Sequence, residues 1–221
     1  VNGVDEVVMG DVSGPADSAN IARVIALKAG IPHDRIAHTV NRNCASGMES
    51  ILSAWQILSE GLAKTVVAGG GTESMSSIPL LVRPELAKLL MELGRSKSML
   101  SKFKTVAKFR PRHFKPVVGV MLGLTDPYSG LNMGQTAEVL AREFAISRED
   151  QDLYALESHA KAAAARERCF LSGEIVPLNG VEKDNGPRDG QSIAALKKLR
   201  PIFELDGTVT AGNSCPLTDG A

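Results

Sequence analysis

Apolar residues follow two alternating patterns along the N-terminal third of the chain. Short apolar runs bounded by glycine, proline or polar residues predict strands, and runs with apolar residues every three or four positions predict helices. The predicted strands cover 4–9, 37–40 and 65–68, and a helix covers 18–29. Strands that alternate with helices at this spacing indicate an α/β fold with a mostly parallel sheet.

A further helix is predicted after Cys44, where large apolar residues recur at helical spacing. They are Met48, Ile51, Leu52, Trp55 and Leu58. The spacing predicts that this face is buried while Cys44 lies at the positive, N-terminal end of the helix. Free backbone amides and the helix dipole there favour the thiolate, which is the reactive form of cysteine. Cys44 is therefore a candidate covalent nucleophile, and the alternative is a small buried residue of the core.

Helices dominate the pattern after about Pro79. The predicted helices cover 83–93, 133–144 and 148–168, and strands return at 175–178 and 208–211. Ser147 is placed as the N-cap of the last helix, with Asp150 three residues later as an acidic variant of the capping box. The stretch 102–116 is basic, and Pro111 interrupts it.

The composition is that of a globular protein. Its 221 residues are 43% hydrophobic and 23% charged, enough for one sizeable core or two small ones. Basic and acidic residues balance at 25 each, so the net charge does not favour a nucleic-acid partner. Between Arg83 and Lys115, however, ten basic residues stand against two acidic ones, a net of +8. No apolar run approaches the roughly 20 residues that span a bilayer, and no signal-peptide pattern follows Val1.

Cysteine and histidine spacing gives no sign of metal binding. Cys44, Cys169 and Cys215 form no Cys-x-x-Cys pair, and their odd number leaves no self-contained set of disulfides. We therefore expect a reducing compartment and no structural zinc. The histidines also lack metal-ligand spacing; they are His33, His38, His113 and His159.

Four short motifs occur along the chain. They are Val40-Asn41-Arg42-Asn43-Cys44-Ala45-Ser46-Gly47, Val66-Val67-Ala68-Gly69-Gly70-Gly71-Thr72-Glu73-Ser74-Met75-Ser76, Met133-Gly134-Gln135-Thr136-Ala137-Glu138, and Gly207-Thr208-Val209-Thr210-Ala211-Gly212-Asn213-Ser214-Cys215 with Asp219-Gly220-Ala221. In this order they resemble the thiolase family, apart from one extra residue in the second motif, Gly71 or Thr72. Taken alone, the glycine triplet is typical of a tight strand-to-loop turn, since it lacks the spacing of nucleotide-binding loops.

The resemblance implies the N-terminal half of a thiolase-like fold, a mixed, mostly parallel sheet with helices on both faces and an inserted loop domain. The core would comprise 1–80 and 202–221. The loop domain, which covers the active site and holds coenzyme A, would comprise 81–201. Within the family, 85–99, 183–186 and 217–220 look most like the β-subunits of fatty-acid-oxidation complexes. That likeness implies a homodimer or tetramer, an α-subunit as a further partner, and a location in the bacterial cytoplasm or the mitochondrial matrix.

The reaction implied by the resemblance is that of a 3-ketoacyl-coenzyme A thiolase in fatty acid β-oxidation. Coenzyme A would cleave a 3-oxoacyl-coenzyme A to acetyl-coenzyme A and a shortened acyl-coenzyme A. Cys44 would carry the acyl group, and its backbone amide would donate to the oxyanion. Met133, Ala211 and Cys215 match positions that line the acyl or pantetheine pocket, with ordinary packing as the alternative. Coenzyme A is then a substrate, and no permanently bound cofactor is expected.

Other functions stay open on the sequence alone. A biosynthetic acetoacetyl-coenzyme A thiolase or a related condensing enzyme also places a cysteine at a helix start. A non-catalytic acyl-coenzyme A-binding subunit would keep the fold without the chemistry. The +8 segment has alternatives of its own: a solvated helical face, or a surface for coenzyme A phosphates, an α-subunit or an anionic membrane.

The chain also departs from the family pattern. Asn132 stands where many thiolases have a histidine, and Cys215 stands where a serine often contacts the pantetheine. The family's second catalytic cysteine, its Gly-His-Pro histidine and its Asn-Glu-Ala-Phe asparagine have no counterpart here, nor does its opening Arg-Thr-Pro-x-Gly strand. We therefore expect this chain to hold about half of a thiolase and to be unable to turn over alone.

Overall fold

The computed structural model describes residues 1–71 and 73–220, so the predictions that involve Thr72 and Ala221 lie outside the described residues. Contacts divide the chain into two compact units. The first comprises Val1–Leu122 with Leu217–Ala221, and the second comprises Gly123–Pro216. The expected division into a core of 1–80 with 202–221 and a loop domain of 81–201 concerns the complete thiolase fold and stays a prediction.

The first unit is built on a three-stranded parallel sheet in which β1 lies between β2 and β3. The strands are β1 Glu6–Gly10, β2 Ile36–Val40 and β3 Val66–Gly69. In the register of the sheet, Val8 lies opposite His38 on one side and Ala68 on the other. Val8 is fully buried because the central strand pairs along both of its edges and packs against helices. The predicted α/β architecture with parallel strands is confirmed.

Two helices pack on this sheet, α1 Ile21–Lys28 and α2 Ser46–Ser59. The side-chain oxygen of Asn20 accepts the N–H of Arg23, and the side-chain amide of Asn20 donates to the Ala37 carbonyl in β2. This N-cap ties the start of α1 to the neighbouring strand. The small apolar core of this region contains Val7, Ala26 and Ile31.

The buried face of α2 differs from the prediction. The residues buried along this helix are the small ones, Ser46, Ser50 and Ala54. The large apolar residues that were expected to be buried are exposed: Met48, Ile51, Leu52, Trp55 and Leu58. The physical reason is close approach, since a Cβ on Gly10 would lie 2.6 Å from the Ser46 carbonyl and one on Gly47 would overlap the Gly70 carbonyl. Only small side chains fit between helix and sheet at that distance.

Further short elements follow β3. They are a 3₁₀ turn Met75–Ser77, β4 Leu80–Leu81, α3 Pro84–Arg95, α4 Met99–Val106, a 3₁₀ turn Pro111–Phe114, β5 Val117–Val118 and α5 Gly119–Gly123. Strands β4 and β5 pair antiparallel. In α4 the polar Thr105 is buried and Phe103 is 77% exposed, so this basic helix turns a polar side inwards and an apolar side outwards.

The regular elements of the second unit lie in three helices joined by long irregular segments. Its helices are α6 Met133–Glu143, α7 Arg148–Glu167 and α8 Ile193–Leu196. The predicted cap of α7 is confirmed, because the Ser147 hydroxyl accepts the Asp150 N–H at 3.1 Å and the Asp150 carboxylate accepts the Ser147 N–H at 3.3 Å.

The strands predicted at 175–178 and 208–211 are wrong. Leu178 forms a single isolated bridge with Val181, and no strand covers either segment among residues 123–216. The N–H groups of Thr208 and Val209 donate to the carboxylate of Glu138 instead of to a neighbouring strand. A side chain from a distant helix therefore satisfies the backbone groups that a sheet partner would otherwise bind.

Candidate active site

Cys44 lies in the turn that connects β2 with α2. The helix begins at Ser46, with Ala45 at its N-cap position, so Cys44 precedes the first helical residue by two positions. Its side chain is exposed. This exposure argues against the alternative that Cys44 is a buried core residue and leaves its thiol accessible to a reactant.

Side chains of neighbouring residues shape this turn. The side-chain oxygen of Asn41 accepts the Asn43 N–H at 3.0 Å, and its amide donates to the Val12 carbonyl at 3.0 Å. Asn43 adopts a left-handed conformation with φ of 50°, which asparagine tolerates better than most residues. The turn is therefore defined by specific bonds on the N-terminal side of the nucleophile.

An ion pair flanks the candidate nucleophile. The Arg42 guanidinium lies 2.5 Å from the Glu49 carboxylate on α2, and the arginine side chain is 65% exposed. An exposed pair of this kind contributes little to stability. The pair instead fixes where the Arg42 guanidinium lies, beside the first turns of α2.

Loops at the carboxyl edge of the sheet are joined through Glu73, which follows β3. The Glu73 carboxylate accepts the Val12 N–H at 2.6 Å and both the N–H and the hydroxyl of Ser13, at 3.2 and 2.7 Å. The backbone of Glu73 also pairs with Gly220 in both directions. The loop after β1, the loop after β3 and the last described residues are thus held together at the edge that carries Cys44.

Asp219 strengthens the same junction. Its carboxylate accepts the Ser76 N–H at 2.9 Å and the Ser76 hydroxyl at 2.5 Å. These bonds, the hydroxyl first, hold the pKa of Asp219 below its ordinary value. The sequence reasoning quoted Glu73 and Asp219 within family motifs but gave them no role, and their position in those motifs was the only available signal.

Asp11 is a buried carboxylate next to this junction. It is 3% exposed, and neither of its oxygens has a hydrogen-bond partner among residues 1–71 and 73–220. Burial raises the pKa of Asp11, and the negative charge of Glu73 raises it further. The backbone amide of Ser13 lowers the pKa of Asp11 and so offsets part of that rise, although the hydrogen bond of this amide is made to Glu73. No sequence signal identified Asp11.

The second unit contains the other predicted site residues. Met133 is the first residue of α6 and is about half exposed. Asn132, for which the resemblance implies a histidine in many thiolases, caps this helix. Its side chain accepts the Gln135 N–H at 2.9 Å, and the Gln135 side chain accepts the Asn132 N–H at 3.0 Å. The substitution therefore places a helix-capping side chain beside Met133.

Ala211 and Cys215 are exposed in a segment held by two buried carboxylates. One is Glu138, which binds the backbone of Thr208 and Val209. The other is Asp152, which accepts the Asn213 side-chain amide at 3.0 Å. Arg148 balances the charge of Asp152 through a bond of 2.8 Å. The sequence reasoning missed both carboxylates, although Glu138 ends the third motif.

The positive charge of Arg142 and the bonds to Thr208 also act on the acidity of Glu138. Burial alone would raise the pKa of Glu138, but the amides of Thr208 and Val209, the Thr208 hydroxyl and Arg142 together lower it below its ordinary value. Glu138 is thus suited to stay ionised while it organises the segment that carries Ala211 and Cys215.

The predicted site residues are therefore split between the two units, with Cys44 in the first and Met133, Ala211 and Cys215 in the second. Across the described ranges, no group of three or more His, Cys, Asp or Glu side chains is arranged to hold a metal ion. In the same ranges, no helix combines the length and the apolar character needed to cross a bilayer.

Three comparisons identify what this chain is similar to. The family description "Thiolase, N-terminal domain" matches residues 1–221. A "Probable acetyl-CoA acyltransferase" of Staphylococcus aureus is 37% identical over 227 aligned positions, which cover 99% of this chain and 53% of the relative. The chain thus spans about half the length of the curated relatives it matches.

Solved structures agree with the family match. The crystal structure of the Bacillus anthracis acetyl-CoA acetyltransferase aligns with a TM-score of 0.82 at 34% identity, covering 99% of this chain and 52% of that one. Human mitochondrial 3-ketoacyl-CoA thiolase, solved in complex with CoA, aligns with a TM-score of 0.78 at 33% identity, covering 95% and 49%. Both alignments confirm the predicted thiolase-like α/β fold.

Proposed function

The chain belongs to the thiolase family, and from this premise we propose that the full-length protein is a 3-ketoacyl-coenzyme A thiolase that uses Cys44 as its nucleophile. The observation that carries the proposal is the position of Cys44. Its thiol is exposed and accessible to substrate, in a turn at the N-terminus of α2 that side-chain hydrogen bonds hold in place.

The proposed chemistry is acyl transfer in two steps. The Cys44 thiolate attacks the 3-keto carbon, the bond between C2 and C3 breaks, and the enolate of acetyl-coenzyme A leaves and takes a proton. The thiolate of a second coenzyme A then attacks the thioester on Cys44, which forms the shortened acyl-coenzyme A and regenerates the Cys44 thiolate. The backbone amide of Cys44 donates to the oxyanion. The proton donor for the enolate is the second cysteine that the family resemblance implies outside these residues.

Residues of the second unit are proposed to contact substrate. Met133, Ala211 and Cys215 line the acyl or pantetheine chain, with Cys215 as a weak hydrogen-bonding replacement for serine. Support comes from their exposure and from two carboxylates near Ala211. Glu138 binds the backbone of Thr208, and Asp152 binds the side chain of Asn213. Because the remaining catalytic groups belong to the second half of the family's sequence, residues 1–221 alone are proposed to be inactive in turnover.

Further proposals concern the setting of this activity. Coenzyme A is a substrate and no cofactor stays bound. The protein forms a homodimer or tetramer, with an α-subunit of a fatty-acid-oxidation complex as an additional partner, in the bacterial cytoplasm or the mitochondrial matrix. The exposed apolar side of the basic helix α4 supports a contact with such a partner or with an anionic membrane, and no nucleic-acid partner is proposed.

A second candidate function is a biosynthetic acetoacetyl-coenzyme A thiolase. The similarity to the Bacillus anthracis acetyl-CoA acetyltransferase favours it, because that alignment has a TM-score of 0.82. The same nucleophile and the same two steps would serve both functions, so substrate length distinguishes them.

The test compares substrates on the full-length protein. Acetoacetyl-, 3-oxooctanoyl- and 3-oxohexadecanoyl-coenzyme A are each mixed with coenzyme A, and loss of the 3-oxo compound gives kcat/KM. The proposal expects a higher kcat/KM for the two longer substrates. Cleavage of acetoacetyl-coenzyme A alone would favour the second candidate, and binding without cleavage of any substrate would identify an acyl-coenzyme A-binding subunit.

A further inference from the structure

The Ser46 side chain closes the turn around Cys44. Its hydroxyl accepts the Arg42 N–H at 2.9 Å and donates to the Asn43 carbonyl at 2.7 Å. These partners precede Cys44 in sequence and Ser46 follows it, so the two bonds form a ring across the nucleophile. The Ser46 N–H donates to the same Asn43 carbonyl at 3.0 Å.

Because Ser46 is buried, the ring depends on its hydroxyl group. Ser46 is 3% exposed, so water cannot readily replace its hydroxyl as the partner of Arg42. Its backbone is also fixed, because it lies against Gly10 of the central strand with no space for a Cβ on that glycine. The ring therefore joins the Cys44 turn to the most buried part of the sheet.

Asn41 supports the opposite side of the turn. It accepts the Asn43 N–H and donates to the Val12 carbonyl, and Val12 is itself bound by Glu73. Asn43 is thus held at its N–H by Asn41 and at its carbonyl by Ser46. Both bonds favour the left-handed conformation that directs the chain into Cys44.

We propose that Ser46, assisted by Asn41, is a positioning residue that holds the Cys44 thiolate in the geometry required for acyl transfer. The inference rests on the proposed function of Cys44 as nucleophile. Neither side chain needs to touch substrate. Loss of the ring would let the turn relax, and small displacements of a reacting group reduce rates strongly.

The chain offers a matched control for this role. Ser50 lies one turn further along α2, is fully buried, and donates its hydroxyl to the carbonyls of Gly47 and Gly69. Ser50→Ala removes a buried hydroxyl from the same helix without touching the Cys44 turn.

The experiment measures single-turnover acylation of Cys44 by 3-oxooctanoyl-coenzyme A in the full-length protein, together with the melting temperature. We expect Ser46→Ala to slow the maximal rate of acylation by about 10- to 100-fold and to leave the substrate concentration at half-maximal rate within about twofold, because neither Ser46 nor its partners are proposed to bind substrate. Ser50→Ala should lower the melting temperature by a similar amount yet keep the acylation rate within about twofold. Equal rates in Ser46→Ala and wild type, or equal losses in the two alanine variants, would overturn the proposal.

A second readout separates this inference from the proposed function. Alkylation of Cys44 by iodoacetamide is followed at one fixed pH, and Ser46→Ala should slow it several-fold because the turn no longer holds the sulfur in place, whereas Ser50→Ala should stay within about twofold of wild type. This slower alkylation in a protein without thiolysis would reject the proposed function and retain the positioning role. Should Ser46→Ala fail to fold, Asn41→Ala, an exposed residue, takes its place with a smaller, several-fold loss of rate, and an unchanged rate would overturn the proposal.

Discussion

The carboxylate of Glu138 holds the backbone of Thr208, which lies 70 residues later in the chain. Both carboxylate oxygens accept the Thr208 N–H at 2.9 Å, and one also accepts the Thr208 hydroxyl at 3.0 Å. The Val209 N–H adds a bond of 2.8 Å. One buried side chain of α6 thus fixes the segment that leads to Ala211. Its carboxylate accepts the backbone N–H groups that a neighbouring strand would bind in a sheet.

Glu138→Gln should destabilise the protein by about 1–3 kcal/mol, because the amide replaces one acceptor oxygen with a donor that faces backbone N–H groups. Denaturation by urea measures this loss. Glu143→Gln on the same helix, an exposed position, should change the free energy of unfolding by less than about 0.5 kcal/mol.

The difference in the free energy of unfolding between wild type and Glu138→Gln should depend on pH, because the pKa of Glu138 is lowered in the folded state. Its stabilising contribution is complete above the ordinary pKa of 4.5 and disappears as the pH falls through the lower pKa of the folded state. The gap between wild type and Glu138→Gln should therefore narrow in acid. A gap that widens as the pH falls below 4.5 would contradict the role assigned to this carboxylate.

Asp11→Asn should stabilise the protein at neutral pH. Because the pKa of Asp11 is raised by burial and by Glu73, the folded state is favoured below the ordinary pKa of 3.8 and loses that advantage as the pH rises through the raised pKa. The variant removes the buried charge, so its free energy of unfolding should exceed that of wild type near neutrality, and this gain should shrink in acid. Urea denaturation near pH 7 and near pH 3 measures this, and destabilisation at neutral pH would show that Asp11 has a partner that its charge requires.

Gly47→Ala should destabilise the first unit severely, by about 3 kcal/mol or more, because the new methyl group would overlap the Gly70 carbonyl. Gly94→Ala in α3 is the control. A Cβ at Gly94 meets no atom within 4 Å, so this variant should be neutral or stabilising by up to about 1 kcal/mol. Thermal unfolding distinguishes the two, and similar melting temperatures would contradict the close helix–sheet approach.

Glu73→Ala should loosen the loop after β1. The Val12 and Ser13 amides lose their acceptor, so their hydrogen exchange should accelerate by roughly 10-fold if each bond contributes about 1 kcal/mol or more. Exchange measured by mass spectrometry reports this directly. Glu174→Ala, an exposed site in the second unit, serves as the control, and unchanged protection of Val12 would refute the junction.

Local patterns were sufficient to predict much of the fold. Periodicity placed β1, α1, β2, α2 and β3 within a few residues, and Ser147 with Asp150 gave the start of α7. These features depend on neighbours in sequence. The buried face of α2 could not be predicted in the same way, because the apolar spacing around Trp55 does not reveal that Gly10 and Gly47 bring the helix too close for large side chains.

Only those site residues that lie in a recognisable local sequence pattern could be predicted from the sequence. Cys44 was found from its position between a strand and a helix. The roles of the carboxylates Glu73 and Glu138 could not be predicted. Their bonds to Val12 and Thr208 join positions that are distant in sequence. The failed strand prediction at 208–211 has the same origin.

The central claim is that Cys44 receives the acyl group. The most direct measurement is to mix the full-length protein with 3-oxooctanoyl-coenzyme A in the absence of free coenzyme A, quench with acid, and locate the adduct by peptide mass spectrometry. The account predicts a hexanoyl group on Cys44, one equivalent of acetyl-coenzyme A released, and no adduct in Cys44→Ser. Release of acetyl-coenzyme A with Cys44 unmodified, or with the hexanoyl group on another residue, would contradict it.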